Sequence, residues 1–315
     1  MKIENLRIYG LEAAIRGMRN PYDSWSKSDS TFGLDSIEGI SEYWIPEMLK
    51  AYLNDSEIPS LTVENCSAWL RKNGVIYEDG DLCEFAFIGP NDMDLAQRLI
   101  SGGPEHRKFL RQINVSFDLT LPLYLWKEFD TYKIGTTSNS CSTMHTLKDS
   151  PITIDRFERD DFENIPFPKE YQRPDAKSDC DDNFIQMCLI PYLESLRLRY
   201  KETNDKKYWK ELVRWLPEGW LQKRTITLNY EVIYNFCHQR SGHRLTEWHT
   251  IIDFIREYLP YANELIFLDE LKAEVEETEE DNLLYKISEA LSELGEMKDE
   301  INYYIHKDRK GNKNK

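Results

Sequence analysis

The sequence predicts an α+β domain, and three features predict it. Residues 111–122 (RQINVSFDLTLP) place Ile113, Val115, Phe117, Leu119 and Leu121 at alternate positions, the period of a half-buried strand. Residues 11–18 space Leu11, Ala14, Ile15 and Met18 along one helical face. Residues 184–265 read as mostly helical, punctuated at Pro191, Pro217 and Pro260, because proline removes a helical N–H.

Taken in order, residues 3–9 read as a short strand, followed by a turn at Gly10 and the helix that Asn20-Pro21 stops. Residues 21–37 are rich in Ser, Asp and Gly and read as a long loop. A helix over 92–102 has Asp92 as candidate N-cap and Gly102 as candidate C-cap. Gly102-Gly103-Pro104 breaks the chain before the 111–121 strand, and Pro122 ends that strand and opens a helix over Leu123–Tyr132. Residues 149–183, with several prolines and many acids, read as a flexible excursion or lid.

The segment 216–248 (LPEGWLQKRTITLNYEVIYNFCHQRSGHRLTEW) reads as amphipathic helix with an unusual polar load. Arg224, Asn229, Asn235, His238, Arg240 and His243 are interleaved with Ile226, Leu228, Ile233 and Phe236. Polar groups among apolar ones need partners, since leaving one buried and unpaired costs about 1–3 kcal/mol. A polar ligand is one source of partners, and an ordinary surface helix is the other reading. Arg240 offers a planar fork of donors suited to the edge of a base; pairing with Glu247 is its alternative. The loop Thr136-Thr137-Ser138-Asn139-Ser140 carries hydroxyls and an amide that could hold a phosphate or simply satisfy its own backbone.

At the end of the chain, Leu284, Ile287, Leu291, Leu294, Ile301 and Ile305 alternate steps of three and four, with Lys298 in the broken slot. The slots beside that seam hold Ser288, Gly295, Asn302, Ala290, Met297 and Tyr304, which offer no charge pairs to fix a two-stranded register. The helix is therefore expected to dock on helical surface rather than drive assembly. The expected organisation is an α+β domain over 1–268, an acidic stretch and amphipathic helix over 269–306, and a basic, solvated tail over 307–315.

Composition narrows the function classes. The chain has 315 residues, 40% of them hydrophobic, enough for one sizeable core. No uncharged apolar run approaches the length of a membrane span, and the start (MKIENLRIYGLEAAI) lacks a secretory pattern. Six scattered cysteines without a C-x-x-C pair read as free thiols in a reducing compartment, the cytoplasm. A net charge of −16, from 40 basic and 56 acidic residues, argues against generic nucleic-acid or anionic-membrane binding. Residues 269–281 hold eight carboxylates against one lysine. His238, His243 and His249 lack the H-E-x-x-H arrangement, and Cys237-His238 diverge by about 100° on a helix, so no metal site is expected. Ser138 to Ser142 lack the glycines of a nucleophile elbow. Pro104 spoils Gly102-Gly103 as a phosphate loop.

Leu216-Pro217, Arg224, Thr227-x-Asn229, Asn235, Arg240, His243 and Trp248 occur in an order that resembles the second half of the flavin-dependent thymidylate synthases, the ThyX family. A second segment supports the resemblance. With one residue inserted, Thr131-Tyr132-Lys133, Thr136, Asn139 and Ser142-x-Met144-His145 stand where that family carries Arg-His-Arg, Ser, Asn and Ser-x-Arg-Tyr. Lys133 is the only basic residue retained among those that would hold phosphates, and Glu231 stands where the family usually has Arg.

The resemblance implies a small antiparallel sheet packed against long helices, with the C-terminal helix as an addition. It implies transfer of a one-carbon unit from methylene-tetrahydrofolate to the uracil ring of dUMP, with hydride from FAD reduced by NADPH. It assigns Arg224, Arg240, Lys133 and Ser142 to the nucleotide, and Asn229, Asn235, His243, Thr136 and Asn139 to the flavin. No enzyme nucleophile is required. Family sites form between subunits of a tetramer, so a homo-oligomer is implied. The alternative is a chain of this fold with lost or altered activity: nucleotide binding without turnover, modification of another pyrimidine, or an interaction protein. The Thr131-Tyr132-Lys133 and Glu231 departures point that way.

Overall fold

The structure, a computed structural model, describes residues 1–35, 75–79, 82–159 and 185–277. In chain order, β1 (Lys2–Tyr9) leads to α1 (Leu11–Arg19), β2 (Thr31–Asp35), β3 (Val75–Asp79), β4 (Leu82–Phe87) and α2 (Pro90–Ser101). Next come β5 (Asn114–Pro122), α3 (Leu123–Phe129), β6 (Thr137–Ser140) and the single turn α4 (Thr143–Thr146). The helices α5 (Ile190–Thr203) and α6 (Lys206–Arg214) precede β7 (Leu221–Asn229). The helices α7 (Tyr230–Arg240), α8 (Thr246–Tyr258), α9 (Ala262–Leu265) and α10 (Leu268–Glu277) close the described chain. Among the described residues, no helix is long and apolar enough to cross a membrane. The expected helix over 284–305, the tail over 307–315 and residues 160–183 of the expected lid lie outside the described residues.

The chain divides into two compact units. The first holds residues 1–9, 113–159, 185–236 and 244–247. Its sheet is antiparallel throughout, in the order β1-β5-β7-β6. On β5, Val115, Phe117, Leu119 and Leu121 are buried, as the alternation predicts. Across from them on β7, Leu228 pairs with Val115 and Ile226 with Phe117, and both are fully buried. On β1 the register slips between Glu4 and Arg7 around Asn5, whose φ is 57°. Asparagine tolerates that left-handed geometry, and its Nδ2 donates to Asp118 Oδ2 at 2.8 Å.

Pro122 ends β5 and sets the entry to α3, which buries Leu125, Trp126 and Phe129. The α5–α6 pair turns at Asn204, φ 53°, and Asp205 caps α6 by accepting from Lys207 N–H at 3.0 Å. Leu193, Leu196 and Leu212 from this pair pack with Leu147, Ile152, Phe157 and Trp220. Residues 149–159 are thus anchored, which corrects the lid reading for this part: Ile152 N–H donates to Glu194 at 3.0 Å, and Phe157 bridges to Trp220.

The second unit holds residues 10–35, 75–79, 82–112, 237–243 and 248–277 among those described. Gly10 takes φ 87° to start α1, which buries Leu11, Ala14, Ile15 and Met18. A three-stranded antiparallel sheet runs in the order β2-β4-β3. The loop expected over 21–37 therefore contains β2. It is also pinned by charge. Asp92, expected as an N-cap, is instead fully buried within α2 and accepts from Arg19 Nε, Ser28 Oγ at 2.5 Å and Ser30 Oγ at 2.5 Å. The capping is done by Asp29, whose carboxylate accepts from Asn91 N–H at 2.8 Å and Asp92 N–H at 3.1 Å. Gly102 follows α2 as its C-cap, as expected.

A further correction is β7. Residues 216–248 are not one helix, because Thr225-Ile226-Thr227-Leu228 are β-branched or apolar at alternate positions and pair along β5. The helix begins only after Asn229.

Candidate functional site

In the first unit, the two motif-bearing segments are neighbours in the sheet. β6 runs antiparallel to β7, with Ser140 opposite Arg224, Asn139 opposite Thr225 and Thr137 opposite Thr227. Just before β6 the chain turns: Thr136 N–H donates to Lys133 O at 3.4 Å, and Gly135 takes φ 78°. A Cβ at Gly135 would lie 2.7 Å from Asn229 Nδ2 and 3.3 Å from Val232 Cγ2, so glycine allows the turn to sit against the start of α7. There Asn229 is the helix cap, its Oδ1 accepting from Val232 N–H at 3.1 Å. The next residue but one, Glu231, is buried in the first turn of α7, where the helix dipole favours a carboxylate.

The polar atoms around this junction differ in how they are satisfied. Thr136 Oγ1 is buried and has no hydrogen-bond partner among the described residues. Lys133 is exposed. The strand residues Thr137, Ser138, Asn139 and Ser140 are all exposed. Ser142 sits at the cap of α4, where its carbonyl accepts from His145 N–H at 3.1 Å and Thr146 N–H at 3.0 Å.

Arg224 is held inside its own unit. Its guanidinium lies 4.2 Å from the Trp126 ring centroid, pairs with Asp130 at 2.7 Å and donates from Nε to Gln222 at 3.0 Å. The side chain is 14% exposed. Cation–π contact, ion pair and hydrogen bond together fix it. Sequence reasoning missed Trp126 and Asp130 as the groups that hold Arg224. It also missed Gly135, for which the glycine beside a hydroxyl-rich run was the available signal.

Of the remaining expected residues, Asn235 is partly exposed on α7, one helical turn beyond Glu231. Arg240 and His243 belong to the second unit and gather about buried Trp248. The Arg240 guanidinium is 5.1 Å from the Trp248 ring, and His243 meets the same ring edge-on at 6.4 Å. His243 N–H donates to Arg240 O at 3.0 Å. Glu247, the partner envisaged for Arg240, accepts from the Tyr124 hydroxyl. Burial pushes the Cys237 thiol far above its ordinary range, which makes it inert as a nucleophile. No group of residues able to hold a metal occurs among those described.

The class of protein these elements define is an α+β fold with a small antiparallel sheet and several helices, carrying a polar strand-to-helix junction. No family model matches the sequence, and no curated protein matches it. Among solved structures, the chain is similar to flavin-dependent thymidylate synthase ThyX from Helicobacter pylori complexed with FAD and dUMP. The identity is 15%, over 85% of this chain and 99% of that one, with a TM-score of 0.47. A further structure of thymidylate synthase X from Helicobacter pylori with FAD and dUMP gives 15% identity, 85% and 98% coverage and a TM-score of 0.48.

Proposed function

We propose that the chain binds a pyrimidine nucleotide and a flavin, and that it catalyses reductive methylation of dUMP with methylene-tetrahydrofolate and NADPH. One observation carries this reading. The two segments that resemble the flavin-dependent thymidylate synthases, 131–145 and 216–248, meet within the first unit through β6–β7 pairing and through the seat of Gly135 on Asn229. The buried, unpartnered Thr136 Oγ1 at that junction fits a hydroxyl that donates to a ligand oxygen.

In this reading Lys133 supplies the cation and Ser142 a hydroxyl for the nucleotide phosphate. Thr136, Asn139, Asn229 and Asn235 surround the flavin. The resemblance assigns Arg224 and Arg240 to the nucleotide and His243 to the flavin. Because family sites form between subunits, a homo-oligomer belongs to the reading. Reduced FAD, when bound, supplies the hydride, so the chain itself has only to bind, orient and exclude water.

Flavin titration is the test. Purified protein should retain FAD or bind it with micromolar affinity, measured by flavin fluorescence with and without dUMP. No binding in either condition rejects the reading. It would leave a chain of this fold with lost or altered activity, the second reading, which the engagement of Arg224 by Asp130 and Trp126 favours.

A further inference from the structure

The outward face of α6 is cationic, in a chain whose net charge is −16. At about 100° per residue, Lys206, Lys207, Lys210 and Arg214 share one arc of about 100°, and all four are exposed. Lys207 pairs with Asp205 at 2.9 Å and Arg214 with Glu211 at 2.5 Å. Lys206 and Lys210 have no ion-pair partner among the described residues. Arg199 of α5 adds a cation from the neighbouring helix, 5.9 Å from the Tyr208 ring. Lys206 and Lys207 open the helix, where its dipole disfavours positive charge, so their charge works against α6 rather than for it. Indoles border the arc. Trp209 is half-buried on one side. On the other, Trp215 is 56% exposed, and its Nε1 donates to Glu211 at 2.6 Å, which holds an otherwise open ring in place. The apolar face of α6 is already buried: Leu212 clusters with Leu193 and Leu196, and Tyr208 and Val213 pack against them. An amphipathic helix binds a bilayer through its apolar face, so α6 presents only charge and indole to a partner in water.

We propose that this face of α6 binds single-stranded nucleic acid, with Lys206 and Lys210 on phosphates and Trp215 stacked on a base. Lysine meets phosphate as a point charge, and an aromatic ring stacks on any base. An acidic peptide would answer the cations and leave the indole faces unused. A rigid duplex would lay its phosphates along the acidic remainder of the chain, whereas a flexible strand can confine itself to the basic face. The net charge thus argues against binding spread over the whole surface, not against this one helix. The surface is independent of the flavin reading.

Fluorescence anisotropy of a labelled oligouridylate of about 12 nucleotides tests it, titrated with the full chain in excess dUMP so that a nucleotide site is silent. Micromolar affinity at low salt is expected, and log K should fall against log salt by about 0.7 per phosphate neutralised. Lys206→Gln/Lys210→Gln should weaken binding about tenfold and make that slope shallower by about 1.4, while Lys206→Arg/Lys210→Arg keeps both. Trp215→Ala should weaken binding about fivefold at an unchanged slope, since stacking releases no counterions. These side chains are exposed, and far-UV circular dichroism confirms that each variant is folded. No binding by the wild type, or an unchanged affinity and slope in the glutamine variant, overturns the proposal. So does an oligoglutamate of equal charge that binds as tightly as the RNA, which would make the face a dock for an acidic peptide.

Discussion

A hydroxyl buried without a partner, as at Thr136 Oγ1, costs the folded state about 1–3 kcal/mol. A bound ligand that accepts its proton recovers that cost. Thr136→Val removes the hydroxyl and keeps the shape, so its effects on folding and on binding should have opposite signs. The variant should melt at or slightly above the wild-type temperature. Its affinity for FAD or dUMP should fall by about 0.5–1.5 kcal/mol, the net worth of one hydrogen bond. Melting and titration on the same preparation check both. A lower melting temperature with unchanged affinity would show that the hydroxyl serves the fold. Arg224 is the contrasting residue: its charge is answered by Asp130, Gln222 and the Trp126 ring, so substituting it perturbs the sheet as well as any ligand.

The start of α2 depends on a residue far from it in sequence. Asp29 accepts from two of the first N–H groups of the helix. Asp29→Ala should therefore cost about 1–2 kcal/mol, the upper part of the range for a lost cap. Urea unfolding measures it; a loss of only a few tenths would mean that water replaces the cap. The same element explains a failure of sequence reading. Asp92 has the look of a cap because it precedes an apolar periodic run, but its partners Arg19, Ser28 and Ser30 are set by tertiary packing. α1, β5 and α3 were legible because each buries one face in its own period, whereas α7 is buried at every position from Tyr230 to Tyr234, so only its start after Asn229 carried a signal. β7 was hidden because Gln222 and Arg224 occupy buried-side positions of the strand, breaking the alternation that Ile226 and Leu228 keep. In β4 and just after it, Phe85 to Ile88 are all buried, which erases period two. At the candidate site the hydroxyl and amide loop over 136–140 and the Asn229 helix start were legible locally. The β6–β7 pairing and the Asp130–Arg224 pair were not, since each joins segments remote in sequence.

For the whole molecule, two electrostatic effects act in opposite directions as pH falls. The net charge of −16 repels itself at neutral pH, and titration toward the sequence pI of about 4.9 relieves that repulsion. Individual carboxylates oppose this. Asp118 is held down to about 2 by the Thr225 hydroxyl, the Asn5 amide and the Lys223 ammonium, at 2.6, 2.8 and 3.0 Å. Glu194 is lowered chiefly by Arg197, with help from Ile152 N–H. A carboxylate whose folded pKa is depressed contributes its stability above the unfolded value, about 4, and loses it as pH falls through the folded value. The urea midpoint should accordingly hold or rise slightly between about pH 7 and 5, then drop between about pH 4 and 2. Asp118→Asn keeps the shape but cannot titrate, so it should flatten the drop below about pH 4 and leave the upper limb unchanged. Equal slopes for wild type and variant in that acid window would show that the Asp118 contacts add no pH-dependent stability, and would move the acid lability to Glu194 and the other lowered carboxylates.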